Sequence, residues 1–180
     1  MKIEKLKKKI IILLGTGIAL GTSRSMSKQF EILGAAAKEW QSISRNSLKR
    51  SLLGLYSARL IDLRPKGDAF EIILSKSGKR ESARFDLDNL KIKKEKWDGR
   101  WRLVMSDIPE KIKKVREALR FHFKKIGLVE YQKSVFITPF RCEREVKFIC
   151  EFYQARKHVR FIVADVIDDE EKMKKEFGIR

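Results

Sequence analysis

The sequence predicts an α+β protein made of two domains. In the first half, apolar residues recur at helical spacing and are followed by two short alternating runs around a proline-glycine turn. In the second half, short apolar runs alternate with charged amphipathic stretches. A chain of 180 residues is long enough for each half to bury its own core. We therefore expect domains at residues 1–90 and 97–180, joined by a charged connector at residues 91–96.

The charge of the chain favours a polyanionic partner. The formal net charge is +18, and residues 1–90 carry 18 basic and 9 acidic groups while residues 91–180 carry 24 and 15. Both halves are therefore basic, and nucleic acid is the common polyanion that attracts such a protein. Charge alone is also compatible with a membrane surface or with a soluble protein that is merely basic.

The amino terminus has two interpretations. A lysine-rich start precedes an apolar run at residues 10–20, which is the outline of a secretory signal, although no clear cleavage site follows. The run is too short to cross a lipid bilayer. We interpret it as the buried first helix of a helical DNA-binding domain, and we expect no membrane partner.

The cysteine pattern predicts a reducing compartment. Cys142 and Cys150 stand eight residues apart in a helical pattern. That spacing is too long for a mutual disulfide or for two ligands of one tetrahedral metal ion. We expect two buried thiols and a cytoplasmic protein.

A DNA-binding arrangement is predicted before residue 75. Helical spacing at residues 26–43 precedes a second helix that Ser44 begins as N-cap, with a stripe formed by Leu48, Leu52, Tyr56 and Leu60. Two alternating strands around a Pro-Lys-Gly-Asp turn follow. Helices followed by a hairpin are the order of a winged helix-turn-helix, whose last helix enters the major groove.

The polar side of this last helix mixes residue types that contact phosphates with types that read bases. An ordinary amphipathic helix with a solvated face is the alternative interpretation. Residues 75–89 are polar and carry no clear pattern. The residues expected to contact duplex DNA are Ser44, Arg45, Asn46, Ser47, Lys49 and Arg50 in the helix and Arg64 and Lys66 in the hairpin.

The sequence of the second domain predicts the order of strands and helices of a ferredoxin-like fold. An extended segment at residues 128–138 lies between two strand-helix patterns, and a bend near Lys133 would make it two strands and the whole order βαββαβ. The expected elements are a strand at 101–108, a helix at 110–126, a helix at 143–154, a strand at 159–167 and a terminal helix at 169–177.

Several motifs of this domain carry a family resemblance. They are Trp-Asp-Gly-Arg-Trp at 97–101, Ser-Asp-Ile-Pro-Glu at 106–110, the Arg116 to Arg120 spacing and Gln-Lys-Ser-Val-Phe at 132–136. Together they resemble the central domain of PaaX-like transcriptional repressors, whose fold is similar to that of the small CRISPR adaptation endonucleases. The resemblance implies a DNA-binding transcriptional regulator, a repressor that acts as a homodimer without a cofactor. It identifies no small-molecule effector.

Asp107 is the candidate catalytic residue under a competing hypothesis. In the CRISPR adaptation endonucleases, an aspartate at the end of the first strand meets its mate across a two-fold axis and holds a divalent metal. By this resemblance Asp107 would bind Mg²⁺ in a metal-dependent CRISPR-associated endonuclease or adaptation subunit with a fused winged helix. The alternative is that Asp107 caps the helix after Pro109. A general nucleic-acid-binding scaffold is a third hypothesis.

Overall fold

The computed structural model describes residues 3–15, 20–21, 43–66 and 69–179. It divides into two compact units, Met1–Asp88 and Asn89–Arg180. The helix expected at residues 26–43 lies outside the described residues. Both units combine helices with antiparallel sheets, so the predicted α+β class is confirmed.

The amino-terminal unit combines helices with a small antiparallel sheet. Among the described residues the sheet has the order β1-β3-β2, and Ile61 of β2 lies opposite Leu74 of β3. The predicted hairpin is therefore confirmed. The described elements are α1 (Ile3–Gly15), β1 (Leu20–Gly21), α2 (Arg45–Ser57), β2 (Ile61–Lys66), β3 (Ala69–Leu74) and α3 (Lys76–Asn89).

The core of this unit buries the apolar side of α1. Lysines occupy the start of α1, and its inward positions recur three and four residues apart, as an amphipathic helix requires. The predicted buried first helix is confirmed at Ile3–Gly15, and Leu20 at the end of the apolar run lies in strand β1. The buried core residues are Leu6, Ile10, Ile11, Leu14, Leu55, Ile61, Ile72 and Leu74.

Helix α3 lies in the polar passage at residues 75–89, which has no clear pattern in the sequence. Ser75 begins it, because the Ser75 Oγ accepts the Gly78 N–H at 3.0 Å and donates to the carbonyl of Arg59 at 2.6 Å. The inward positions include Gly78 and Ser82, which are buried. A Cβ on Gly78 would lie 1.9 Å from the Leu60 carbonyl oxygen, so the two backbones approach too closely even for an alanine side chain.

The carboxy-terminal unit has the predicted ferredoxin-like topology. Its four-stranded antiparallel sheet has the order β5-β6-β4-β7. The extended segment does bend near Lys133, which lies between β5 and β6. The elements are β4 (Trp101–Ser106), α4 (Lys113–Ile126, after a 3-10 turn at Glu110–Ile112), β5 (Val129–Gln132), β6 (Val135–Thr138), α5 (Glu143–Phe152), β7 (Val159–Ala164, after a 3-10 turn at Arg156–His158) and α6 (Glu170–Phe177).

Two apolar clusters stabilise this unit. The rings of Phe123 in α4 and Phe136 in β6 lie 5.5 Å apart, and both side chains are fully buried. The second cluster joins Trp101, Ile137 and Met173, and it fixes α6 to the sheet. The indole Nε1 of Trp101 also donates to the Glu170 carboxylate at 3.0 Å. The sheet thus holds the carboxyl end of β4, where Asp107 lies, in a fixed frame.

Candidate nucleic-acid interface and the strand-end aspartate

Helix α2 begins at the predicted N-cap. The Ser47 N–H donates to the Ser44 Oγ at 3.2 Å, and that hydroxyl donates to the Ser47 Oγ at 2.9 Å. This arrangement satisfies a backbone donor that the helix itself leaves unpaired. Two of the hydroxyls expected to contact DNA therefore also form the helix cap.

The inward side of α2 differs from the predicted stripe. Leu48 and Leu52 pack against the core as expected, but Tyr56 is 53% exposed and Leu55 is 1% exposed. Each four-residue step over-rotates by about 40° on a helix with 3.6 residues per turn, so Tyr56 has drifted away from the line of Leu48. Leu55, seven residues after Leu48, returns almost to that line. The prediction of Tyr56 as a core residue is wrong.

The outward side of α2 is polar and basic near its start. Asn46, Lys49 and Arg50 are exposed and lie on one face, since residues three and four apart are neighbours on a helix. Within the described residues no hydrogen bond or ion pair engages these three side chains. The face continues to Leu53, which is 56% exposed, and to Tyr56.

The remaining DNA-contact candidates lie at the start of α2 and on β2. Arg64 is exposed and lies opposite Glu71 in the register of the hairpin. Lys66 is the last residue of β2. The side chains of Arg45 and Lys66 lie outside the described part of the structure. The structure therefore places Arg64 on the hairpin and the exposed cations of α2 within one unit.

Asp107 lies at the carboxyl end of β4 and is exposed. Its N–H donates to the His158 carbonyl at 2.9 Å, which holds the Asp107 backbone beside the 3-10 turn that precedes β7. A cavity of about 340 Å³ opens beside it and is lined by Lys157 and Arg160 among others. The Asp107 side chain therefore lines a small open cavity together with the basic residues Lys157 and Arg160.

The structure does not support a capping role for Asp107. Pro109 is the N-cap of the 3-10 turn and Ile112 is the N-cap of α4, and neither end has a side-chain cap hydrogen bond. The 3-10 turn separates Asp107 from the helix proper, so its carboxylate lies too early in the chain for the cap position. The expectation that Asp107 caps this helix is wrong.

Metal binding at Asp107 stays a prediction about a pair of subunits. Among the described residues, no group of three or more histidine, cysteine, aspartate or glutamate side chains is placed to hold a metal ion. Asp107 provides one hard oxygen ligand of the kind Mg²⁺ prefers. A second copy of the chain would have to supply the matching carboxylate.

The two cysteines are core thiols, as the sequence predicts. Cys142 and Cys150 are both buried and free of disulfides. Burial raises the pKa of the Cys142 thiol to about 12 and that of the Cys150 thiol to about 11. Neutral thiols of this kind are poor nucleophiles and poor metal ligands.

The comparisons with known proteins agree with this geometry for the second unit. Residues 94–176 match the family model described as "PaaX protein central Cas2-like domain". The resemblance of this region to the PaaX central domain, found in the sequence, is therefore confirmed. A comparison with curated proteins gives no match.

The solved structures that align with the chain include one of low similarity. It is described as "Uncharacterized protein Rv0674 from Mycobacterium tuberculosis", and it is 18% identical with a TM-score of 0.41. The alignment covers 93% of this chain and 64% of the length of that protein. The fold assignment of the second unit therefore rests on the strand order and the family match. In the described residues, no helix has the length and apolar character of a transmembrane span.

Proposed function

We propose that the chain is a PaaX-like transcriptional regulator that binds duplex DNA in the cytoplasm. The observation that carries the proposal is the exposed face of α2, on which Asn46, Lys49 and Arg50 stand together without partners in the described residues. Cations contact phosphates and asparagine reads adenine, so this face combines both kinds of contact. The family match of the second unit makes a regulator the class that best fits such a face.

The order of elements in the amino-terminal unit supports a winged helix as the DNA-binding head. Helix α2 directly precedes the β2–β3 hairpin, and the short strand β1 pairs with β3. In this class of domain the helix enters the major groove while the hairpin contacts the backbone. Arg64 on β2 would then neutralise a phosphate beside the groove that α2 occupies.

The carboxy-terminal unit offers a surface for pairing two subunits. The edge strand β7 exposes Ile162 and Val163, which are 41% and 46% exposed, and Val166 beyond its end is 81% exposed. An open strand edge with apolar side chains favours association with a second copy. A two-fold pair would bind a roughly palindromic operator with half-sites about 34 Å apart. Light scattering at micromolar concentration should give the mass of a dimer, and a monomer both with and without DNA contradicts this arrangement.

The salt dependence of duplex binding tests the main proposal. Phosphate contacts release counterions, so affinity should fall a hundredfold or more between roughly 50 and 200 mM salt if about six phosphates are neutralised. Fluorescence anisotropy of a labelled duplex measures this directly. An affinity that does not change with salt, or an absence of duplex binding, contradicts the proposal.

A nuclease is the second candidate, and the cavity beside Asp107 is the observation that favours it. Lys157 and Arg160 on the cavity wall would attract a phosphate, and Asp107 would contribute a ligand to Mg²⁺. Incubation of wild type and Asp107→Asn with labelled DNA and RNA in Mg²⁺ separates this function from regulation.

A further inference from the structure

Helix α2 exposes a leucine in the middle of its polar face. Leu53 is 56% exposed, although the inward side of the helix has its own apolar residues in Leu55 and Leu52. Leu53 lies three residues after Arg50 and four after Lys49, so it shares their face. The core of the unit therefore does not account for this side chain.

The position of Leu53 matches that of a base-reading residue. Recognition helices of the homeodomain type place base contacts at positions i, i+3, i+4 and i+7. Asn46, Lys49, Arg50 and Leu53 have this spacing. The fourth position thus carries a side chain that can form no hydrogen bond.

An apolar side chain in the major groove has one specific target, the C5-methyl group of thymine. We propose that Leu53 contacts a thymine methyl and so selects a T·A pair within each half-site. The inference rests on the proposed function, because it requires α2 to lie in the major groove. The cations at positions 49 and 50 favour DNA over an apolar protein partner, since they would lie beside the phosphates.

The helix geometry also gives the spacing of the two contacts. Seven residues separate Asn46 from Leu53, which is about 10 Å along a helix that rises 1.5 Å per residue. That distance corresponds to about three base-pair steps of 3.4 Å. An adenine read by Asn46 and a thymine read by Leu53 should therefore lie within about three base pairs of each other.

The test replaces single thymines by deoxyuridine, which lacks only the methyl group. A preferred duplex is first selected from a random pool with the full chain, and each of its thymines is then replaced in turn. Wild type, Leu53→Ala and the control Ile12→Ala are compared by fluorescence anisotropy. Ile12 is 37% exposed and belongs to a different helix, α1.

We expect one thymine per half-site at which deoxyuridine weakens wild-type binding about fourfold, the factor that corresponds to one buried methyl group. Leu53→Ala should lose this discrimination and Ile12→Ala should keep it. Circular dichroism should show both variants folded, because both side chains are exposed. Duplex RNA should bind more weakly than DNA, because its deep, narrow major groove does not admit side chains.

Three results overturn the inference while the proposed function survives. The first is steeply salt-dependent binding in which no thymine methyl matters. The second is a methyl effect that Leu53→Ala leaves intact, and the third is duplex RNA that binds as tightly as DNA. A chain that binds no duplex at all contradicts both the inference and the proposed function.

Discussion

Asp98 and Arg102 form a bidentate ion pair. The Nη1 and Nη2 atoms of Arg102 donate to the two carboxylate oxygens of Asp98 at 2.6 Å each. Arg102 is only 3% exposed, and its Nη1 also donates to the carbonyls of Arg100 and Pro139. Gly99 between them has a φ of +79°, which lets the backbone turn there. The Trp-Asp-Gly-Arg-Trp motif therefore forms a turn whose Asp98 holds the buried guanidinium of Arg102.

Removing the carboxylate of this pair should destabilise the protein. Asp98→Asn leaves the guanidinium of Arg102 without its counter-charge in a site where the side chain is 4% exposed. An uncompensated buried charge costs about 3 to 5 kcal/mol, and the partial exposure of Asp98 lowers the expected loss to about 2 to 4 kcal/mol. Urea unfolding followed by tryptophan fluorescence measures the change.

The matched control is an ion pair on the surface of the same unit. Asp165 lies 3.3 Å from Arg100, and the two side chains are 83% and 61% exposed. Asp165→Asn should cost less than about 1 kcal/mol, because water screens an exposed pair. Equal losses in the two variants would show that the Asp98 pair is no more important than a surface contact.

The same pair should make stability depend on pH in the acid range. The hydrogen bonds and the charge of Arg102 hold the pKa of the Asp98 carboxyl well below its usual value of 3.8. The stability that the Asp98 carboxylate contributes is therefore complete above pH 3.8. It is lost as the pH falls from there through the lowered pKa of the folded protein. The difference in stability between wild type and Asp98→Asn should be constant from pH 7 to about 5 and should shrink below about pH 4. A difference in stability that stays unchanged from pH 7 down to pH 2 contradicts this assignment.

Two helical glycines should respond in opposite directions to alanine. An alanine Cβ at Gly78 would lie 1.9 Å from the Leu60 carbonyl oxygen, which belongs to the backbone and cannot move aside cheaply. Helix propensity favours alanine by about 1 kcal/mol, but overpacking costs about 1 to 3 kcal/mol or more. We expect Gly78→Ala to lower the melting temperature.

Gly54→Ala is the control for this prediction. Its new Cβ would lie 2.9 Å from the Cε of Lys7, the far end of a flexible side chain that can move. The gain in helix propensity should then dominate and stabilise the protein by up to about 1 kcal/mol. Two variants that shift the melting temperature in the same direction would contradict the close packing of α3.

These glycines also show why the sequence revealed some elements and not others. The strands and helices of the second unit follow apolar periods, so their order could be predicted. Helix α3 has small residues such as Gly78 and Ser82 at its inward positions, so no apolar period marked it. Its remaining sequence signal was Ser75, a good N-cap residue.

The candidate site was partly predictable for the same reason. The cations of α2 could be placed on one face by counting residues along a helix. The exposure of Leu53 could not be predicted, because hydropathy places a leucine in the core. In the structure Leu55 is buried instead and Leu53 is exposed. The role of Asp107 depended on where the next helix begins, and the 3-10 turn at Glu110–Ile112 moved that start away from it.

The cysteines should be unreactive in the folded protein. Because burial raises the pKa of both thiols to about 11 or 12, very little thiolate exists at pH 8. A thiol reagent such as dithionitrobenzoate should label neither residue in native buffer and both in urea. Rapid labelling of native wild type, located with Cys142→Ser and Cys150→Ser variants, would show that one thiol is accessible.

Substitutions on α2 should separate phosphate contacts from base reading. Lys49→Ala and Arg50→Ala should weaken binding to all duplexes and reduce the salt dependence, because each removes a cation from the interface. Asn46→Ala should also relax the preference at one base pair, by about 1 to 3 kcal/mol. Arg84→Ala, an exposed cation on α3, is the matched control and should have a smaller effect. If Arg84→Ala weakens binding as much as Arg50→Ala, the α2 face is not the interface.

The last prediction separates a regulator from a nuclease. Asp107 is exposed and caps no helix, so Asp107→Asn should change stability by less than about 0.5 kcal/mol and retain full DNA binding. A metal site shared by two subunits behaves differently. Two carboxylates that face each other without metal repel, so the substitution would stabilise the metal-free dimer and abolish cleavage.

Incubation of both proteins with labelled DNA and RNA in Mg²⁺ or Mn²⁺ decides between these functions, with EDTA as the metal-free control. A regulator leaves all substrates intact in every arm. If wild type cleaves and Asp107→Asn does not, while both bind DNA equally, then Asp107 is catalytic. The cations beside it would then hold a substrate phosphate, and the chain would be a nuclease that carries a DNA-binding head.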